Sequence, residues 1–240
     1  MFISIKKCGF YVICMILSII IALSTSLSVC AHENYYDIAT GQTIKFRMQD
    51  LNTKGKPVLY VYYAQLNESS APEHYYECTQ DAIQTWSGFA DVSVGTCNQN
   101  NKNITITADS RNAYATYGIN SSALAFTICV STSGVDSGTA NPKNYLGKTF
   151  YVDYSIIYLH YSGSVFKHLF IAEDKLKKRI KKTVVHEIGH AMGLGHSDDP
   201  NYNPISSTHY SVMRTGFPDQ VNSGVVPQYH EYSDINAAYN

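Results

Sequence analysis

The sequence predicts an α+β layer structure, a single domain in which five strands form a sheet and two long helices pack on it. Three observations carry this. Short runs rich in β-branched and aromatic residues recur between turn signals, and two segments carry apolar residues every three or four positions. Their order along the 240 residues is strand, helix, several strands, helix, with no internal repeat.

The elements follow in chain order. Lys6 and Lys7 precede an apolar run and then the small residues Ser28-Val29-Cys30-Ala31. This is the pattern of a signal peptide over residues 1–31, cut after Ala31. The alternative is an uncleaved anchor, although the run is short against the roughly 20 apolar residues that a span needs. Residues 32–55 show no clear period and end in turn chemistry around Asn52 and Pro57, so an N-terminal extension lying on the surface is expected there. The domain proper then spans 56–240. Residues 58–63 read as the first strand, and 73–86 as the first helix, with Tyr75, Cys78, Ala82, Ile83 and Trp86 on one face. Strands are expected at 89–95, 104–107, 123–130 and 149–161. The second helix opens at Glu173, and its stripe of Leu176, Ile180, Val184, Ile188 and Ala191 belongs to the core. Lys177, Lys178, Arg179, Lys181 and Lys182 give it a basic outer side, read as a solvated face.

Composition limits the function classes. A formal net charge of −1 with 15% charged residues argues against nucleic acid or an acidic membrane surface as the main partner. With the signal peptide removed, no stable membrane partner is expected and the product is extracellular. Three of the six cysteines lie in the signal segment. Cys78, Cys97 and Cys129 remain, which in an oxidising compartment permits one bridge and leaves one thiol. Asn67, Asn103 and Asn120 each open a glycosylation acceptor triplet. Oligomeric state has no sequence signal.

The chemistry is concentrated in residues 183–197, T-V-V-H-E-I-G-H-A-M-G-L-G-H-S. His186 and His190 are four apart, so on a helix both imidazoles leave one face and can converge on a single ion. Glu187 follows the first histidine, beside the metal but poorly directed to be a ligand, which is the position of a base acting on water. Gly193 allows a turn that most residues resist, and His196 returns as the third ligand. Three protein ligands leave one coordination position open. That distinguishes a catalytic zinc from a structural one, which is closed by four ligands. The full pattern H-E-x-x-H-x-x-G-x-x-H fixes five positions, too many for coincidence to be a good explanation.

On these residues the chain resembles the metzincin zinc endopeptidases, and within them the matrixins, the family of the matrix metalloproteinases. Ser197 after the third histidine marks that branch, and His196-Ser197-Asp198-Asp199-Pro200 is similar to its H-S-x-D-P. Ser211-Val212-Met213 resembles the Met-turn, and residues 232–239 resemble the closing helix. The resemblance implies a zincin-like fold, with a five-stranded mixed twisted sheet that has an antiparallel edge strand. A backing helix, an active-site helix and a C-terminal helix complete it. It implies one catalytic Zn2+ on His186, His190 and His196, Glu187 as general base, and Met213 supporting the site from below. Ser197 and Asp199 would stand just outside the ligands. The fourth strand, at Leu124, Ala125 and Phe126, would be the edge against which an extended peptide pairs. Thr215, Gly216, Phe217 and Pro218 would form the wall of the specificity pocket.

The implied topology puts Cys78 at the same end of the sheet as Cys97, so a Cys78–Cys97 bridge is expected. Calcium is compatible with the resemblance, but no ligand set for it is assignable. The chain departs from the pattern in the long spacing between His196 and Met213, where residues 201–210 look inserted beside the cleft. His160 and His168 are read as ordinary histidines, not as ligands of a second zinc. The expected activity is hydrolysis of peptide bonds in extracellular proteins. The alternative is a non-catalytic binding or adhesion protein on the same fold.

Overall fold

Strands form where β-branched and aromatic residues alternate, and helices where apolar residues recur at three and four. In chain order, the described residues of the computed structural model form β1 (Tyr36–Asp37), β2 (Gln42–Thr43), β3 (Lys45–Met48), β4 (Val58–Ala64), α1 (Tyr75–Ser87), β5 (Ser93–Gly95), β6 (Ile104–Thr107), α2 (Arg111–Thr116), β7 (Ala125–Ser131), β8 (Thr149–Leu159) and α3 (Glu173–Ala191). The described residues are 36–37, 42–64, 66, 71–87, 93–95, 100–108, 111–137, 142–166, 172–196, 212–213, 226–227, 231, 235–236 and 239. All lie in the unit Ala31–Asn240. The signal segment, His168 and the expected insertion at 201–210 fall outside them. Of the expected C-terminal helix at 232–239, Ile235, Asn236 and Tyr239 are described and helical, as is Glu231 just before it. No helix among the described residues is long and apolar enough to cross a membrane.

The sheet is mixed. β4 pairs in parallel with β5 on one side and β6 on the other, and β6 pairs in parallel with β8. β7 runs antiparallel along β8, from Ala125 opposite Leu159 to Ser131 opposite Val152. Among the described residues β7 pairs with no further strand, so it is an edge. The eleven-residue β8 changes phase midway. Phe150 and Val152 are buried, Asp153 and Tyr154 are both turned outward, and then Ser155, Ile157 and Leu159 are buried. The pairing with β7 skips Asp153 at this point, a bulge that lets both halves of the strand present buried side chains to the core.

Residues 44–48 correct the expected surface extension. Ile44, Phe46 and Met48 are buried while Lys45 is exposed, and β3 joins the sheet in parallel with the first half of β8. Period-two alternation is present in I-K-F-R-M but covers only five residues, too few to stand out from an irregular flank.

α1 and α3 cover one face of the sheet. Leu59, Val61, Ile104, Ile106, Ile157 and Leu159 from the strands meet the apolar stripes of both helices in one core cluster. Trp86 of α1 is fully buried, and its indole N–H donates to the Val185 carbonyl at 3.1 Å, one residue before His186. The outer charges of the helices also meet. Lys177 Nζ lies 2.8 Å from Glu77 and 3.0 Å from Glu173, and Lys181 lies 3.8 Å from Asp81. Part of the basic side therefore faces α1 and its acids. The other face of the sheet is covered near β7, where Phe126, Ile128 and Val130 pack with Tyr114 of α2.

Asn103 is 2% exposed, which corrects its reading as a glycosylation acceptor. Its Nδ2 donates to Asp50 and to the Val58 carbonyl, and its Oδ1 accepts the Tyr60 N–H. Asn120 is exposed and Asn67 lies outside the described residues.

Candidate metal centre

The centre is built on the last two turns of α3 and the reversal that follows. Glu173 and Asp174 in the first turn of α3 favour the helix dipole. The far end is closed by paired hydrogen bonds, from Gly193 N–H to the His190 carbonyl at 2.8 Å and from Leu194 N–H to the Gly189 carbonyl at 3.0 Å. This is a Schellman cap, which needs a left-handed residue after the helix. Gly193 supplies it with φ +92, and a Cβ there would also collide with the Phe46 carbonyl oxygen of β3. The newly found strand thus presses on the turn that sends His196 back towards the helix.

The three imidazoles converge. His186 Nε2 and His190 Nε2 are 2.9 Å apart, and each is 3.1 Å from His196 Nε2. His186 Nδ1 lies 2.7 Å from the Val212 carbonyl, and His190 Nδ1 lies 2.7 Å from the Leu194 carbonyl. A carbonyl only accepts, so those Nδ1 atoms carry the protons and the Nε2 lone pairs face one another. Such a donor set fits a cation. Tetrahedral zinc at about 2.0–2.1 Å from each nitrogen holds them roughly 3.3 Å apart, close to the observed triangle. Among the described residues this is the one group of three or more histidine, cysteine or carboxylate side chains tight enough to hold a metal ion.

Glu187 is 5% exposed. Burial pushes its carboxyl up to about 7, against the opposing effects of the Thr127 hydroxyl and of His196. Thr127, fully buried on β7, lies with its Oγ1 2.7 Å from Glu187 Oε2 and 3.1 Å from the Glu187 carbonyl. The sequence places Thr127 on the expected edge strand with residues 124–126, but nothing in it pairs the hydroxyl with Glu187, 60 residues away. Sequence reasoning passed over Glu231, which is 1% exposed and accepts the Val212 N–H at 3.0 Å. Glu231 thereby steadies the residue whose carbonyl orients His186. Nothing in the sequence singles it out.

Met213 is buried against the helix between the two histidines. A Cβ on Gly189 would collide with its sulfur, so Gly189 is what admits the methionine. Edge strand β7 is narrower than expected as a pairing surface. The Leu124 carbonyl accepts the His160 N–H, so by alternation the backbone of Phe126 also faces β8. Only Ala125 and Thr127 turn their N–H and C=O outward beside α3. At Cys129 the edge is closed, because Ser137 bonds both its N–H and its carbonyl.

Cys78 carries a free thiol, with its Sγ 3.5 Å from the Lys177 carbonyl of α3, so the expected Cys78–Cys97 bridge is not formed in this structure. Its helical position turns it inward between α1 and α3, and burial raises the thiol to about 12. Cys97 lies outside the described residues, as do Ser197, Asp199, Thr215, Gly216, Phe217 and Pro218. His160 is buried, with its ring nitrogens 2.9 Å from the Ser121 and Ser162 carbonyls.

No family model and no curated protein matches this chain. Among solved structures, a crystal structure of myroilysin aligns over 86% of this chain and 98% of its own at 13% identity, with a TM-score of 0.33. A second myroilysin structure aligns over 81% and 91% at 15% identity and a TM-score of 0.34. High choriolytic enzyme 1, a hatching enzyme zinc-protease from Oryzias latipes (Medaka fish), aligns over 80% and 93% at 14% identity and a TM-score of 0.33. Likeness this slight has no bearing on function.

Proposed function

We propose that the chain is a secreted zinc-dependent endopeptidase of matrixin type that hydrolyses peptide bonds in extracellular proteins. The observation that carries the reading is the meeting of three imidazole Nε2 atoms, none more than 3.1 Å from the others, on the helix that also carries the buried Glu187. His186, His190 and His196 would hold zinc, which when bound would supply Lewis-acid chemistry to the scissile carbonyl and the attacking water. Glu187 takes the proton of the attacking water and delivers it to the leaving nitrogen, acting first as general base and then as general acid. The outward backbone groups of Ala125 and Thr127 on β7 pair with an extended substrate and present its backbone to the site. Met213 holds the helix from below, and Thr215, Gly216, Phe217 and Pro218 form the wall that selects the side chain next to the cut. Residues 1–31 direct export.

The test uses the exported protein purified from culture medium and incubated with casein or gelatin. Fragments are expected to accumulate, to stop when a chelator strips the metal, and to return when zinc is added back. Cleavage that persists after complete metal removal would sink the proposal. Stoichiometric zinc with no cleavage of any protein or peptide would favour the alternative, a binding or adhesion protein on this fold.

A further inference from the structure

We propose that Thr127 is a positioning residue for Glu187, fixing which carboxylate oxygen is free to carry the proton; this rests on the reading of Glu187 as the proton carrier. A glutamate has three rotatable bonds and, in a buried site, nothing of its own to aim it. Thr127 is β-branched and held on a strand, so its χ1 is restricted. It is also fully buried, and its hydroxyl stands 2.7 Å from Oε2. Oε1 has no hydrogen-bond donor among the described residues. One oxygen is therefore tied to the sheet while the other is left for water. The same hydroxyl lies 3.1 Å from the Glu187 backbone carbonyl, and its single proton points best to the nearer carboxylate oxygen. The backbone of Thr127 is one of only two β7 positions open on the edge, which places peptide pairing and base alignment on a single residue.

A merely structural role, satisfying a buried carboxyl, would show in stability alone. The experiment compares wild type, Thr127→Val and Thr127→Ser. Thr127→Val keeps shape and loses the hydroxyl, and Thr127→Ser keeps the hydroxyl. The first readout needs no turnover: the carboxyl carbon resonance of Glu187 in 13C-labelled protein. It is expected to move in Thr127→Val and to return in Thr127→Ser. The second is steady-state cleavage of a peptide at equal bound zinc. In Thr127→Val, kcat is expected to fall by about 10- to 100-fold, as for a misplaced reacting group, with KM little changed and Thr127→Ser restoring most of the loss. An unmoved resonance would overturn the contact, and a wild-type kcat in zinc-loaded Thr127→Val would overturn the role. If wild type binds zinc but cleaves nothing, the functional reading fails and the catalytic role falls with it, while the resonance still decides whether Thr127 fixes the carboxylate.

Discussion

At Gly193 two separate demands fall on one residue. The cap that ends α3 needs a left-handed φ of +92, and the Phe46 carbonyl of β3 leaves no room for a Cβ. Gly193→Ala costs about 1–2 kcal/mol from backbone conformation alone, and the collision adds to it. Since the turn delivers His196, zinc affinity is expected to fall by at least about tenfold, read by competition with a metal indicator. Unchanged affinity would mean that His196 is placed by something other than this turn. The ligands and Glu187 were legible in the sequence because the i, i+4 spacing and a following glycine are local rules. Thr127 and Glu231 were not, because their importance comes from tertiary contacts 60 and 19 residues away.

At the scale of elements, α1 and α3 are held by shared core and by the charged rung of Lys177 with Glu77 and Glu173. The Lys177 ammonium hydrogen-bonds both carboxyls and holds them below the usual carboxylate range. Carboxyls held low contribute stability only while ionised. The contribution is present above the ordinary glutamate value of about 4.3 and is lost as pH falls through the lowered ones. The rung is exposed, so the effect is small. The difference in Tm between wild type and Lys177→Met is expected to shrink below about pH 4. A gap that stays constant or widens in acid would contradict the pairing. The strands and long helices were readable because each carries its own periodicity. β3 was missed because its alternation is short and its stabilising partner, the first half of β8, is about a hundred residues away. α2 was missed because its six residues include one buried position, Tyr114, and so no stripe.

Across the molecule, β3 and the segment around Tyr239 meet at the C-terminal end of α3. The Tyr239 hydroxyl accepts the Met48 N–H of β3 at 3.0 Å and donates to the Met192 carbonyl at 2.9 Å. Arg47 donates to the Tyr239 carbonyl at 2.9 Å. One tyrosine thus links the early strand, the metal turn and the closing segment. Tyr239→Phe leaves two buried polar groups without that partner, and a loss of about 2 kcal/mol or more is expected in urea denaturation. A loss below about 0.5 kcal/mol would show that the link does not hold the fold. Sequence alone could propose a closing helix, but not that its last aromatic would touch β3.

In the proposed reaction the Glu187 carboxyl on α3 moves the proton in peptide hydrolysis. The most direct measurement is kcat/KM on one quenched fluorescent peptide for wild type and Glu187→Ala, with bound zinc determined in the same samples. Equal zinc is expected in both, with a fall of about 10²- to 10⁴-fold in the variant, the size of a lost general base. Equal cleavage by the two zinc-loaded proteins would contradict it.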